Sequence, residues 1–548
     1  MHCSRSLSIK AEFSFLLACV FLGLVPRASG QPQGSLQSAS ITGPYKLSGI
    51  VVNSATGSPI RRALVQVYLG ASHAMLTDGE GRFEFNDLPA GQTVVGVQKP
   101  GFFSEQDLGQ RLMLSPPAMI EVGPEENPLV LKLIPEGIIF GRVDADGEPL
   151  ENLPIKVIAL RVVNGRKRWE QVGTAMTDED GSFRIANLPP ATYYIAAGPR
   201  QDFDPAAGKP RPAGGYSEVF YPDVPEIEAA TPIEIVPGEQ TEADLSLKAE
   251  QVYQVSGTVV GAAISRGVSL QFVNRSGESL GVPVQFDPKT GKFQTSIAAG
   301  SYTLRARAQD SDGSSWIADL PLTVAADVVG LRVVLGRGIS IPVSVRTDHI
   351  NPPARDDMVV DGRGAQPVNI GLNSATPLLS AESYYASTIP NGIDQALAIR
   401  DISPGKYSAD INPSGEWYVA SAQCGATDLL SDDLTILPGA HPPPVELVLR
   451  NDGATLTGSI SSEGHPESGT VLLVAHHGKP KLTLADQGNG FQFSAVAPGD
   501  YDVLAFDHAE RLEYTNPEIL NVYLGKAAHV TLLANGKSQI TVDLIHVE

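Results

Sequence analysis

A turn pattern recurs about every one hundred residues along this chain and limits the folds that it can adopt. Each copy places a Pro- or Ala-containing turn and one small residue directly before an apolar strand, which is aromatic in four copies. The small residues lie about 94 to 109 residues apart and are Gly91, Ala191, Gly300, Gly405 and Gly499. Self-similarity at a fixed period is the sequence signature of a repeated structural unit. The sequence therefore predicts five modules.

An acidic, glycine-bearing turn that ends in Phe precedes this point in four of the five modules. The copies occupy 77–83, 177–183, 287–293 and 486–491. Glycine can adopt the positive φ of a tight hairpin, and an Asp side chain can cap the backbone amides of the turn. The fourth module lacks this turn but keeps the segment 403–407, so we expect it to be degenerate, with residues 395–399 as the substitute strand.

The segments between these turns predict short strands and no helices. They are rich in Val, Ile, Leu and Thr, often in alternation, and no amphipathic helix of 12 or more residues is evident. We expect an all-β fold, a tandem array of about five small antiparallel β-sandwich domains. The predicted domains occupy 46–136, 137–250, 251–337, 338–451 and 452–548, after a linker over 31–45.

The amino terminus predicts export. Two basic residues precede an apolar run over 13–25, and small residues follow up to Gly30, as in a secretory signal peptide over 1–30. The run of about 13 residues is shorter than the roughly 20 that a membrane-spanning helix needs, and no later segment approaches that length. We expect a periplasmic, outer-surface or extracellular protein without a transmembrane segment in the mature chain. Lipoprotein anchoring at Cys19 stays an open alternative.

Charge and cysteine content exclude some classes of partner and crosslink. The net charge of −21 and the pI near 4.9 argue against nucleic acid as a partner, because such binding relies on clustered Lys and Arg. Cleavage at Gly30 leaves Cys424 as the one remaining cysteine, so the mature chain can form no intramolecular disulfide.

The motifs of the first module resemble the carboxypeptidase regulatory-like domain. They follow that family's order over 47–51, 57–60, 63–67, 77–83 and 88–91. The second module matches nearly as well, the third and fifth in part and the fourth weakly. The resemblance implies Ig-like or transthyretin-like β-sandwiches, grouped with carbohydrate-binding-like and Cna B-type modules, in exported bacterial binding and scaffold proteins. It does not imply peptidase activity, because these modules accompany zinc carboxypeptidases without being the catalytic domain.

The sequence predicts no catalytic residue, cofactor or metal ligand. HxxE and HExxH are absent, and the GxSxG pattern around Ser279 lies in a loop between strands instead of a strand-to-helix turn. His476 and His477 are adjacent and face opposite sides of a strand. Acidic turns at 144–147, 178–181 and 310–313 lack the bidentate Glu of a calcium loop, so weak calcium binding is the open alternative.

Aromatic residues are the candidates for ligand binding, since sugar sites pair exposed aromatic faces with hydrogen-bonding groups. A segment over 200–223 exceeds the usual length of a hairpin loop. The aromatic candidates are Phe203, Tyr216, Phe220 and Tyr221 in that segment, together with Trp316, Trp417, Trp169, Tyr384 and Tyr385.

The leading hypothesis is an exported, non-enzymatic binding or scaffold protein of the cell envelope or exterior that holds a glycan. The alternative is an array of interaction or adhesion modules that binds an envelope or extracellular protein through exposed sheet edges. A hydrolase with an unrecognised site is the third hypothesis.

Overall fold

The computed structural model of the protein contains strands almost throughout. It describes residues 43–69, 71–104, 108, 119–124, 128–204, 211–261, 267–275, 277–310, 315–351, 368–376, 382–388, 397–485 and 490–547. The signal peptide predicted over 1–30 and Cys19 lie outside these residues. Within them the chain forms forty-six strands, and α1 (Pro517–Leu520) is an α-helix of only four residues. The all-β prediction is confirmed.

Strand pairing follows the five predicted segments, called modules 1 to 5. The strands of module 1 are β1 (Tyr45–Asn53), β2 (Leu64–Leu69), β3 (Ala71–Leu76), β4 (Arg82–Leu88), β5 (Gly91–Gln98), β6 (Phe102–Ser104), β7 (Met119–Val122) and β8 (Leu129–Pro135). They form two four-stranded sheets, in the orders β4-β1-β8-β6 and β3-β2-β5-β7. Alternate side chains of both sheets, among them Val51, Val65 and Phe83, are buried in one shared core.

Module 2 has the same two-sheet plan with an added hairpin. Its strands are β9 (Gly137–Ala145), β10 (Glu148–Pro149), β11 (Pro154–Val163), β12 (Arg166–Met176), β13 (Ser182–Leu188), β14 (Ala191–Ala197), β15 (Arg200–Asp204), β16 (Arg211–Tyr216), β17 (Val219–Phe220), β18 (Ile233–Ile235), β19 (Gln240–Glu242) and β20 (Leu245–Leu247). The sheet β12-β11-β14-β17 faces strands around β9, and β15 pairs with β16 alone.

Module 3 also forms two sheets, β24-β25-β21-β28 and β23-β22-β26-β27-β29. Its strands are β21 (Val252–Val260), β22 (Ser269–Val273), β23 (Ser279–Leu280), β24 (Gln285–Phe286), β25 (Lys292–Ala298), β26 (Gly300–Gln309), β27 (Ser315–Val324), β28 (Val328–Val334) and β29 (Gly336–Arg337). Val255, Phe272 and Leu304 are fully buried between these sheets.

In module 4 the strands are linked along one continuous path of nine. They are β30 (Ile339–Asp348), β31 (Val368–Ser374), β32 (Ser383–Thr388), β33 (Leu397–Ile402), β34 (Gly405–Pro413), β35 (Tyr418–Cys424), β36 (Thr427–Asp428), β37 (Leu434–Ile436) and β38 (Val445–Arg450). Cys424 is free and buried in this core, and burial raises the pKa of its thiol.

Module 5 adds α1 between its strands and contains a second buried cluster, which includes Leu504 and Leu520. Its strands are β39 (Ala454–Ser462), β40 (His465–Glu467), β41 (Gly469–Ala475), β42 (Lys481–Ala485), β43 (Phe491–Val496), β44 (Gly499–Phe506), β45 (Ala528–Leu532) and β46 (Lys537–Ile545).

One pairing scheme underlies the sequence repeat. In every module the opening strand lies between an antiparallel neighbour, which begins after the acidic turn where there is one, and a parallel closing strand. The sets are β1 with β4 and β8, β9 with β13 and β20, β21 with β25 and β28, β30 with β33 and β38, and β39 with β43 and β46. The division into five independently folding domains remains a prediction.

The repeated Gly and Phe are linked by packing. A Cβ on Gly49 would lie 2.6 Å from Cζ of Phe83, and one on Gly257 would lie 2.8 Å from Cε1 of Phe293. A carbonyl oxygen of the closing strand lies closer still, 2.4 Å from a Cβ on Gly49 and 2.3 Å from one on Gly257. Only glycine leaves room for both neighbours, because cores are close-packed. The four modules that have an acidic turn therefore each contain a Gly in the opening strand and a Phe after that turn.

The aromatic residue at the end of the repeat closes a turn. The hydroxyl of Tyr193 donates to the carbonyl of Pro189 at 2.6 Å. Equivalent bonds over four residues link Tyr302 to Ala298 at 3.0 Å, Tyr407 to Ser403 at 2.7 Å and Tyr501 to Ala497 at 2.7 Å. A hydrogen bond of this kind satisfies a carbonyl that the turn would otherwise leave unpaired.

Candidate functional site

The long segment predicted over 200–223 is held at the boundary between modules 2 and 3. It forms the hairpin β15–β16, and its residues 205–210 are outside the described residues. Gly215 near the end of β16 exchanges two backbone hydrogen bonds with Glu250, at 2.8 and 3.4 Å. Since Glu250 directly precedes module 3, this bridge ties the hairpin to the chain that enters the next module.

A cavity of about 480 Å³ lies between the two modules. Its aromatic lining comes from Trp169, Tyr216 and Phe220 of module 2 and from Tyr302 of module 3. Its polar lining comes from Ser217, Glu218, Glu226, Glu228, Glu250, Asn274, Arg275 and Ser301. Small-molecule sites have this composition, an apolar wall with a few polar groups.

The aromatic walls are fixed by neighbouring side chains. Trp169 meets the ring of Tyr194 edge to face, with centroids 4.9 Å apart. Tyr302 packs edge to face on the buried Phe272 at 6.4 Å, and burial raises the pKa of its hydroxyl to about 12. Phe220 is itself almost fully buried. Rings held in this way present a preformed surface, which reduces the entropy lost when a ligand binds.

One ion pair crosses the same boundary, and a hydrogen bond within each module supports the wall of the cleft. Nη1 of Arg275 in module 3 lies 2.7 Å from Oε1 of Glu226 in module 2, and its Nη2 donates to Oγ of Ser301 at 3.2 Å. The hydroxyl of Ser217 donates to Oε2 of Glu250 at 2.6 Å. These contacts orient two of the carboxylates at the cleft.

A buried ionic cluster lies at the cleft. Nζ of Lys156 on β11 is 2.8 Å from Oε1 of Glu218 and 2.5 Å from Oε2 of Glu278. The Asn274 amide donates to Oε2 of Glu218 at 3.1 Å, and its carbonyl accepts from the backbone N–H of Glu278 at 2.9 Å. Burial raises the pKa of Glu218 to about 7, the charge of Glu278 adds to this, and Lys156 opposes it. Burial also lowers the pKa of Lys156, but the two carboxylates outweigh this and leave it raised.

The structure brings some of the predicted aromatic residues together and separates others. Trp169, Tyr216 and Phe220 line one cleft. Tyr221 packs against the core of module 2 instead, and Phe203 lies on β15 with its side chain outside what the structure describes.

The remaining tryptophans lie in other modules. Trp316 packs on the core of module 3, with the Arg337 guanidinium 5.7 Å from its ring centroid. Trp417 packs on the core of module 4, edge to face with His349 at 4.8 Å. Their part in ligand binding, like that of the cleft residues, stays a prediction.

Sequence reasoning missed Glu218 and Tyr302, which line the cleft, and also Lys156 and Glu278, which form an ionic cluster with Glu218. Lys156 and Glu278 are 122 residues apart in the chain, and only the packing of two modules brings them together. The one signal available was the GxSxG pattern, which contains Glu278. Its Ser279 is an exposed residue on β23 and not part of a strand-to-helix turn.

Neither a metal site nor a membrane helix is found in the part of the chain that the structure describes. There, no three His, Cys, Asp or Glu side chains are grouped so that they could hold an ion. His476 and His477 are both exposed after β41. Among the same residues, no helix has both the length and the apolar character needed to span a membrane.

The fold and cleft define an all-β protein of packed sandwich modules, and one module has a recognisable family. Residues 46–113 match the family model of the carboxypeptidase regulatory-like domain, which confirms the resemblance for module 1. No curated protein sequence matches the chain.

The chain is similar in part to several solved structures, at low sequence identity. They include the TIE protein of Bacillus anthracis, with 16% identity over 54% of this chain and 50% of that protein at a TM-score of 0.17. The minor pilin of Streptococcus agalactiae has 15% identity over 38% of this chain and 97% of the pilin, at 0.20. The major pilin subunit of Bacillus cereus has 10% identity over 74% of this chain and 99% of the pilin, at 0.12. This chain thus spans half the length of the first protein.

Proposed function

We propose that this chain is an exported, non-enzymatic binding protein of the cell envelope or exterior, and that it binds a carbohydrate in the cleft between modules 2 and 3. One observation carries the proposal: a cavity of about 480 Å³ places the rings of Trp169, Tyr216 and Tyr302 beside carboxylates and hydroxyls. This volume falls within the roughly 300–1,000 Å³ typical of small-molecule sites.

The lining suits the chemistry of sugars. A pyranose ring has apolar C–H faces that pack on aromatic rings, and its hydroxyls donate to carboxylates and accept from amides or guanidinium groups. The cleft offers both kinds of partner, with Glu226, Glu250 and Arg275 on its wall. Because Arg275 and Glu226 are already paired at 2.7 Å, the polar groups are oriented before any ligand arrives.

The test is sugar binding by the mature chain. A glycan array identifies the sugar, and calorimetry compares wild type with Tyr216→Ala, which removes one aromatic face at the cleft. We expect at least a tenfold loss of affinity, equal to about 1.4 kcal/mol. Tyr385→Ala is the matched control, since Tyr385 is 64% exposed and lies on β32 of module 4. Absence of any sugar ligand, or wild-type affinity in Tyr216→Ala, would contradict the proposal.

The second candidate, a protein-interaction function, is favoured by the edge strand β3. It ends its sheet and pairs with β2, and residues 71–76 contain neither a charged residue nor proline, the usual protections of a sheet edge. Leu76 and the neighbouring Tyr68 are 51% and 68% exposed. An extended peptide could add to this edge as a further strand.

Ser72→Lys with Ala74→Lys tests this second function, because both side chains are exposed on β3. We expect that a purified partner of the wild type no longer binds the double variant, while sugar affinity at the cleft is unchanged. A partner that binds both equally would exclude β3 as its site.

A further inference from the structure

The ionic cluster at the cleft joins two modules through one lysine. Lys156 lies on β11 of module 2, and Glu218 precedes β17 of the same module. Glu278 and Asn274 belong to the turn between β22 and β23 of module 3. Because Nζ of Lys156 contacts both carboxylates, at 2.8 and 2.5 Å, the two acids from different modules are held close together.

The cluster is buried and has one more acid than base. The side chains of Lys156, Glu218 and Glu278 are 14%, 8% and 17% exposed. With all three ionised, two carboxylates share one ammonium group and the cluster carries a net charge of −1. Two carboxylates that share a desolvated site resist ionising together, so the pair tends to keep one proton.

The neighbours of Glu218 determine which charges act on its carboxyl group. The charges that act on it are Lys156 from β11 and Glu278 from the β22–β23 turn, and Asn274 contributes a neutral amide donor. Among the other carboxylates at the cleft, Glu226 is held by Arg275, Glu250 accepts from Ser217, and Glu228 is exposed. Glu218, whose pKa is raised to about 7, is therefore the group of the cluster that changes charge near neutral pH.

We propose that a proton shared between Glu218 and Glu278 controls how tightly module 3 closes on module 2, and through this the affinity of the cleft. With the proton present, one carboxyl group donates to the other and the net charge of the cluster is zero. Without it, two anions face each other across the module boundary with a single lysine between them. The part about affinity rests on the proposed carbohydrate function, whereas the part about closure does not.

The direction of the effect follows from the raised pKa of Glu218. Burial and the charge of Glu278 bring this pKa to about 7, above the ordinary value of 4.5. The contribution to stability is therefore complete below about pH 4.5 and is lost as the pH rises through about 7. We expect the boundary to be tighter at pH 6 than at pH 8.

The fluorescence of Trp169 tests closure directly, because this side chain lines the cleft. The chain has three tryptophans, so Trp316→Phe with Trp417→Phe in the full mature chain leaves Trp169 as the sole emitter. We expect its emission to change between pH 5 and 9 with a midpoint near 7. Glu218→Gln, which keeps a hydrogen-bond donor without a charge, should abolish the change and hold the spectrum of the acid state.

Glu226→Gln is the matched control and should keep the transition, since Glu226 pairs with Arg275 outside the cluster. A flat titration in the wild-type background, or a transition that persists in Glu218→Gln, would overturn the proposal. If the tryptophan variants do not fold, amide exchange of the unmodified chain replaces them. Peptides over 217–220 and 272–280 should then be about tenfold better protected at pH 6 than at pH 8, after correction for intrinsic rates.

Sugar binding at the two pH values separates this proposal from the function on which it rests. We expect an affinity about tenfold higher at pH 6 than at pH 8 in the wild type and equal affinities in Glu218→Gln. Equal wild-type affinities with no Trp169 transition would contradict the switch and leave the carbohydrate function standing. A Trp169 transition without binding of any sugar would contradict the carbohydrate function and leave the switch standing.

Discussion

The hairpins β2–β3 of module 1 and β11–β12 of module 2 hold the same place in the repeat but differ in reach. Both follow the opening strand and precede the strand that begins after the acidic turn. β2 and β3 have 6 residues each, whereas β11 has 10 and β12 has 11. The shorter hairpin ends as a sheet edge of its own module. The longer one also ends its sheet with β12, but its tip contacts modules 4 and 5, so the added length joins modules.

The tip of β11–β12 makes a dense set of contacts. Arg166 donates from both terminal nitrogens to Asp433 of module 4, at 3.0 and 2.8 Å. Nζ of Lys167 lies 2.9 Å from Oε2 of Glu513 in module 5, and the hydroxyl of Thr515 donates to the carbonyl of Gly165 at 2.6 Å. Tandem repeats usually contact only their neighbours along the chain. Here module 2 contacts modules far beyond the next one.

The largest expected effect comes from the glycine at this tip. Gly165 has φ of +74°, and a Cβ there would lie 2.6 Å from Cε2 of Tyr514 and 2.7 Å from Cγ2 of Thr515. Gly165→Ala should combine left-handed strain of about 1 kcal/mol with overpacking of about 2 kcal/mol. Amide exchange of peptides over 160–169 should show about 150-fold less protection.

Gly57 of module 1 provides the matched control for this change. Its φ is +70°, but nothing lies within 4 Å of the position that a Cβ would take there. Gly57→Ala should therefore cost only the strain of about 1 kcal/mol. Equal losses of protection around the two glycines would show that the tip of β11–β12 does not dock tightly.

The second-largest expected effect comes from neutralising the acid of an ion pair at the tip of β11–β12, in comparison with an ion pair of module 1. Asp433 is 10% exposed and holds Arg166 through two hydrogen bonds, so Asp433→Asn should weaken this contact by about 2 kcal/mol. Amide exchange of peptides over 428–434 measures it. In module 1, Lys46 and Glu84 form a pair at 2.8 Å that is open to solvent. Glu84→Gln should leave exchange unchanged, because exposed pairs contribute little, and a comparable loss there would remove the distinction.

The sequence predicts features that depend on residues close together in the chain, but it does not predict contacts between residues far apart. Residues within a few positions of one another determine the opening strands, the acidic turns and the turns that a Tyr hydroxyl closes. Their sequence patterns therefore indicate the strands correctly. The pair Asn164-Gly165 is itself a strong hairpin signal, and both residues have positive φ. The contact between this hairpin tip and Thr515 could not be predicted, because Thr515 is 350 residues from Gly165 in the chain.

The candidate site shows the same limit. Tyr216 and Phe220 are predictable as candidates from an unusually long aromatic segment, and both line the cleft. The cluster of Lys156, Glu218 and Glu278 is not predictable, since separations of 62 and 122 residues leave no periodic signal. Its chemistry arises only when module 3 packs against module 2, and single-sequence patterns describe the modules but not their packing.

The smallest expected effect concerns one position of the repeat, which is Tyr193 in module 2 and Thr93 in module 1. Tyr193 is fully buried and donates to the carbonyl of Pro189 within its own turn. Thr93 takes its place in module 1, where its hydroxyl donates to the carbonyl of Tyr68 on β2 at 3.0 Å and accepts from that residue's N–H at 3.2 Å. Tyr193→Phe keeps the ring and should cost about 1 kcal/mol, with exchange increased only over 188–194. Thr93→Val should instead loosen β2 as well as β5, because its bonds cross between strands. Increased exchange of β11 in Tyr193→Phe would show that the hydroxyl supports the sheet and not the turn.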